Sequence, residues 1–143
     1  MKLTPHFTLE ELTHTDEKDF RQINLDEGLK IKDKLVKLAE FAESVRSIIE
    51  CPMTITSGFR CEQLNKKIGG SPFSQHRFAE AIDFIPLKIS AFEAFAKIMI
   101  SGIPYGQLIL EKRGIGYILH ISLGTKRQKL YQAKAGGKYE NIL

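Results

Sequence analysis

The sequence predicts a single α+β domain in which an antiparallel sheet carries the functional site and helices pack against one face of it. Three observations lead there. Capped, amphipathic helical segments stand before and among β-prone runs. The last two β-prone runs are separated only by a short Gly-containing loop, the pattern of an antiparallel hairpin. A chain of 143 residues and 16.2 kDa is long enough for one substantial core and too short for two.

Taken in order, Thr8-Leu9-Glu10-Glu11 reads as a capping box, with the Thr hydroxyl serving the first helical amides and Glu11 reaching back. It opens a short helix within an N-terminal arm, residues 1–24, whose second half is polar. The clearest helix follows. Ile31, Leu35, Leu38, Phe41, Val45 and Ile48 recur at steps of three and four and so share a face, with Asp26 as the expected N-cap and Pro52 beyond the end. Met53-Thr54-Ile55-Thr56 is a strand ended by Ser57-Gly58, and Glu62 to Lys67 is a short helix stopped by Gly69-Gly70. Ala81 to Ile85 is a strand closed by Pro86. Ser90-Ala91-Phe92-Glu93 is a second capping box, opening a helix expected to bury Phe92, Phe95 and Met99 and to end before Gly102. The hairpin strands are Gln107 to Glu111 and Tyr117 to Leu123. The basic stretch 125–143 is expected to be a loosely held tail.

Composition excludes several classes. Hydrophobic residues at 43% and charged residues at 27% are the balance of a folded globular chain. No apolar run approaches the roughly 20 residues that cross a bilayer, and Met1 to His6 lead into no apolar stretch, so neither membrane insertion nor a Sec-type signal peptide is expected. That leaves localisation open. Cys51 and Cys61 have no metal-binding or redox spacing and read as free structural thiols. The formal charge of +4 gathers at Lys126, Arg127, Lys129, Lys134 and Lys138. It suits a polyanion, but a solvated surface explains it as well. A nucleic-acid-binding domain would rest on that charge alone, since no basic recognition helix or aromatic RNA-binding motif accompanies it. No nucleic-acid partner is therefore expected, and the chain is expected to be a monomer.

The chemistry-bearing residues stand in the strands. In Ala81-Ile82-Asp83-Phe84, alternation sends Ile82 and Phe84 to one face and Ala81 and Asp83 to the other. A carboxylate in so apolar a strand is costly to bury without a partner. In the last strand Tyr117, Leu119, Ile121 and Leu123 share a face, leaving Ile118, His120 and Ser122 opposite. His76 lies seven residues before Asp83. One cation would satisfy all three groups, since two imidazoles and a carboxylate with an open fourth position make a catalytic zinc set. On residue types alone the competing reading stays open: a histidine in a strand is commonly a hydrogen-bonded core residue, and Asp83 has Arg77 or backbone amides as alternatives.

Ser74-Gln75-His76-Arg77-Phe78-Ala79-Glu80-Ala81-Ile82-Asp83 resembles the S-x-H-x-x-G-x-A-x-D signature of the zinc D-alanyl-D-alanine carboxypeptidase family, which also holds dipeptidases and phage endolysins. Ser57-Gly58-Phe59-Arg60 with Leu64-Asn65 is similar to that family's segment bearing a substrate-binding arginine. Gln107-Leu108-Ile109-Leu110-Glu111 resembles the strand before the last ligand, and Leu119-His120-Ile121-Ser122 the strand that supplies it. His6-Phe7-Thr8-Leu9-Glu10-Glu11-Leu12 is similar to the start of the family's small single-domain members. The resemblance runs to about Leu123.

The resemblance implies one Zn2+ per chain, held by His76, Asp83 and His120, with a metal-activated water hydrolysing a peptide bond in peptidoglycan stem peptides. It makes Arg60 the residue gripping a substrate carboxylate, a task suited to a planar, permanently charged fork. Ser74 and Gln107 become further substrate contacts. A base is also required, and Glu111 is the only acidic residue in the two late strands. It shares the face of His120 only if facing residue numbers sum to an odd value, as with Glu111 opposite Ile118; opposite Tyr117 it would point away. The competing role is a solvated strand-end glutamate beside Lys112 and Arg113. Three positions depart from the family pattern. Ala79 stands for Gly, Tyr117 replaces a frequent acidic residue, and Gly106 replaces a frequent Asp. They leave a second function open, a non-catalytic cell-wall or virion binding module that keeps the fold and a structural zinc.

Overall fold

A computed structural model describes residues 1–124, 129–133 and 139–141 of the chain. Thr8 caps α1 (Leu9–Leu12) with the reciprocal capping box that its sequence predicts: the Glu11 amide donates to Thr8 Oγ1 and the Thr8 amide to the Glu11 carboxylate. A 3-10 turn at Lys18–Phe20 then leads into α2 (Arg21–Lys30), and Ile31 separates it from α3 (Lys32–Ile49). The helical region thus begins earlier than expected, and Asp26 lies inside α2 instead of capping it. α2 escapes a search for apolar periodicity because it buries only Asn24 and Gly28 and is laced by polar pairs, Gln22 with Asp26 and Lys30 with Glu27.

The buried stripe of α3 also differs from the expected one. Leu35, Leu38, Ala39, Ala42, Val45 and Ile49 are fully buried, whereas Ile31, Phe41 and Ile48 are half-buried at its edge. The two alanines make the inner stripe narrow enough for close packing, which a reading keyed to large side chains misses. Each fully buried leucine or isoleucine here contributes about 1.5–3 kcal/mol.

β1 (Met53–Ser57), α4 (Glu62–Lys67) and β2 (Ala81–Pro86) lie where the sequence predicts them. α5 (Ala91–Ser101) is capped by Ser90, whose hydroxyl accepts from the Glu93 amide. Its buried face is Ala94, Phe95 and Ile98; Phe92, expected inside, is exposed and meets Tyr117 edge-on with ring centroids 4.7 Å apart. Phe92 lies three and six residues before Phe95 and Ile98, so it drifts off the face by the helical period. β3 (Gln107–Arg113) and β4 (Gly116–Ser122) form the predicted hairpin. Its turn has positive φ at Gly114 and not at Ile115, the pattern of a type II′ turn.

The chain is a single α+β domain built on a six-stranded mixed sheet, in which β3 and β4 pair antiparallel and α5 packs on both. Its full strand order is β1-β2-β4-β3-β5-β6. The last two strands, β5 (Lys129–Ala133) and β6 (Tyr139–Asn141), lie in the basic C-terminal stretch, and β5 runs parallel to β3, a pairing no short-range signal announces. The rest of the tail expected to be loosely held lies outside the described residues.

Two compact units can be distinguished. The first, Met1–Ser44 with Ile55–Ile82, has Phe7, Leu9, Leu12, Leu35, Leu38 and Leu64 in its core. The second, Val45–Thr54 with the described residues from Asp83 onward, is centred on Phe84, Ile98, Tyr105, Leu108, Leu119 and Ile121, and in it α5 packs on β3 and β4. Cys51 and Cys61 are buried and free, as expected. No helix among the described residues is long and apolar enough to cross a membrane.

Candidate metal centre

Asp83 and His120 reach the site from β2 and β4, neighbouring strands of the sheet. β2 is covered on both faces, with Ala81, Ile82, Asp83 and Phe84 all buried, so its carboxylate sits in an apolar setting that demands a partner. His120 supplies one: its Nδ1–H donates to Asp83 Oδ1 at 2.8 Å, and the two side chains are only 12% and 11% exposed.

His76 comes from a different kind of element, the 3-10 turn Gln75–Phe78. Ser74 caps that turn, its Oγ accepting from the His76 amide. The His76 ring is buried, and its Nδ1 lies 2.7 Å from the Gly58 carbonyl oxygen. A carbonyl only accepts, so Nδ1 carries the proton and Nε2 keeps its lone pair. This is the backbone-oriented tautomer that metal-binding histidines commonly use.

His76, Asp83 and His120 form the one group of His, Cys, Asp or Glu among the described residues whose ligand atoms all lie within 4.8 Å of one another. The donor set fits a metal ion of borderline softness: two imidazoles, one carboxylate, burial, and a fixed tautomer on the turn-borne ligand. The three residues that the sequence nominates are thus brought together.

The other nominated residues fall into two sets. Arg60 and Ser74 are joined, Arg60 Nη2 donating to Ser74 Oγ at 3.0 Å, while the Arg60 amide donates to the His76 carbonyl at 3.0 Å. Glu111 and Gln107 lie on β3, where Glu111 pairs with Ile118 and Ile109 with His120. This is the odd-sum register, so Glu111 shares the face of His120. Directly opposite His120 is Ile109, which leaves Gln107 and Glu111 as its diagonal neighbours, about 7–8 Å away in a regular ladder. Glu111 is outside the metal-ligand cluster, and its carboxylate accepts from Arg113 Nε at 2.9 Å. The Gln107 backbone N–H donates to the Ser122 hydroxyl at 2.8 Å.

Two contributors were not found by sequence reading. The Gly58 carbonyl, which fixes the His76 ring, carries no side-chain signal. Asn24 lies in a stretch that reads as polar surface, yet it is fully buried; a polar residue within a polar run gives no sign that it points inward. Ala79, in the place of the signature's glycine, has φ +56° and ψ +41°, so the left-handed conformation is kept by a residue that adopts it at a cost.

A family model described as Peptidase M15 matches residues 5–121, well over half of the chain. No curated protein matches it.

Proposed function

The chain belongs to the peptidase M15 family, and we propose that it is a zinc-dependent hydrolase of peptide bonds in peptidoglycan stem peptides, acting as a carboxypeptidase of the D-Ala-D-Ala type or a related endopeptidase. The observation that carries this reading is the buried His76, Asp83 and His120 cluster, intact within the matched residues. His76, Asp83 and His120 would hold the zinc, which when bound would act as a Lewis acid toward the scissile carbonyl and lower the pKa of a water to near neutral.

The remaining work falls to the protein's own side chains. Glu111, on the His120 face, takes the proton from the attacking water and returns it to the leaving amine, a role worth about 10²–10⁴ in rate. To do so its carboxylate exchanges Arg113 for water, a small cost for a pair whose arginine is more than half exposed. Arg60 offers its fork to a carboxylate of the substrate, with Ser74 Oγ holding one guanidinium nitrogen in place. Ser74 and Gln107 are additional contacts for the peptide, which is bound by a monomeric chain.

The Glu111–Arg113 ion pair favours one competing reading, a binding module that keeps the zinc for structure and leaves Glu111 as a surface ion-pair partner. A single set of measurements separates the two. Elemental analysis should give one zinc per chain, lost in His76→Ala. Mass spectrometry of a muropeptide digest should then show cleavage and identify the bond. Glu111→Gln should keep the zinc and lose cleavage. Zinc without cleavage in the wild type would leave the binding module; a folded wild type that takes up no zinc would sink both readings.

A further inference from the structure

We infer that Asn24 is a positioning residue for the metal centre: its side-chain amide fixes the loop that follows β1, and through that loop the orientation of the His76 ring. The inference rests on the reading of His76 as a metal ligand. Apart from the Cys61 carbonyl, which accepts from the Asn65 amide in the first turn of α4, the loop from Gly58 to Cys61 has neither ladder nor helix to satisfy its backbone, so each of its other polar groups needs an individual partner. The Phe59 amide donates to the Leu12 carbonyl at 2.7 Å, and the Arg60 amide to the His76 carbonyl. Two of the others converge on one side chain. Asn24 Nδ2 donates to the Phe59 carbonyl at 2.9 Å, and Asn24 Oδ1 accepts from the Cys61 amide at 2.7 Å. The second Nδ2 proton goes to the Thr13 carbonyl at 2.8 Å, tying the loop to the end of α1.

The amide orientation is forced, because two carbonyls face the nitrogen and an N–H faces the oxygen. No other side chain of this size presents two donors and an acceptor on one plane. Asp keeps only the acceptor, and Leu keeps nothing. Asn24 is 0% exposed, so water cannot substitute for it. The residues it clamps, Phe59 and Cys61, bracket Arg60, and Phe59 adjoins Gly58, whose carbonyl accepts the His76 Nδ1 proton. Loss of the clamp frees that carbonyl to move, and the ring loses the bond that presents Nε2.

The test has three parts. In the metal-free wild type, nitrogen-15 NMR of the imidazoles should find His76 protonated at Nδ1. Competition with a chromophoric chelator should show Asn24→Asp and Asn24→Ser binding zinc about tenfold more weakly, the size of effect seen when support for a ligand is removed. Leu38→Ala, a destabilising change on α3 of the same unit, should bind zinc as the wild type does despite a comparable fall in Tm. That separates positioning from general loss of stability. Asn24 variants that fold and bind zinc with wild-type affinity, or a wild-type His76 protonated at Nε2, would overturn the inference. Should neither variant fold, the wild-type ring measurement decides. A wild type that binds no zinc but shows the Nδ1 tautomer would remove the functional reading and leave the clamp standing.

Discussion

The strand-borne and turn-borne parts of the metal centre are built by different physics. Asp83 and His120 project from β2 and β4, where backbone ladders are formed whatever the side chains are and alternation alone decides which way each residue faces. His76 projects from a four-residue 3-10 turn whose geometry depends on particular atoms: the Ser74 hydroxyl, the Gly58 carbonyl and the left-handed Ala79 that ends it. A ligand on a ladder is insensitive to substitution of its neighbours. A ligand on a turn inherits every weakness of the bonds that hold the turn. The cost of altering the surroundings should therefore be much larger around His76 than around His120.

The largest expected effect comes from the ligands themselves. His76→Ala and His120→Ala should both reduce zinc to well below one per chain by elemental analysis, and peptide cleavage should disappear with it. Only His76→Ala should also leave the Gly58 carbonyl without its donor. Next, Gly58→Ala contrasts with Ile109→Val. A Cβ on Gly58 would stand inside contact distance of the Leu12 carbonyl oxygen, a backbone atom that cannot swing aside. Chemical denaturation should show a loss of about 1–3 kcal/mol, and zinc affinity should fall with it. Ile109→Val, directly opposite His120, should cost about 1 kcal/mol and leave zinc affinity unchanged. Equal zinc affinities in the two variants would break the comparison.

Ala79→Gly should act in the opposite direction. Relief of the left-handed conformation at φ +56° outweighs the added freedom of the unfolded chain, giving a gain of about 1 kcal/mol in thermal unfolding. A loss of stability would mean that the buried methyl group matters more than the backbone strain. The smallest effect lies away from the site, where the N-terminal arm meets α3. Burial raises the Glu43 carboxyl pKa, but hydrogen bonds from the His6 amide and ring outweigh it and hold the pKa below its ordinary value of 4.5. Depression in the folded state means that the contribution is present above the unfolded value and is lost as pH falls through the folded one. The Tm difference between wild type and Glu43→Gln should therefore be constant near neutral pH and shrink below about pH 4.5.

By itself, the sequence determined whatever depends on local chemistry and strict periodicity. Both N-caps, α4, the strand carrying Asp83 and the hairpin follow from residue type and spacing, because caps, turns and alternation act over a few residues. The odd-sum condition ties the reach of Glu111 to a single register, and Glu111 does pair with Ile118. Tertiary structure alone decided the features that depend on distant atoms. α2 has no apolar stripe to reveal it, and Asp26 resembles a cap until the helix is seen to start at Arg21. Phe92 is apolar yet exposed, since the helical period carries it off the face set by Phe95 and Ile98. β5 lies parallel to β3, a non-local pairing that no short motif encodes. The burial of Asn24 and the aim of the Gly58 carbonyl belong to the same class. Sequence records which groups can donate or accept a hydrogen bond, and only the packed chain determines which of them are removed from water and must find each other.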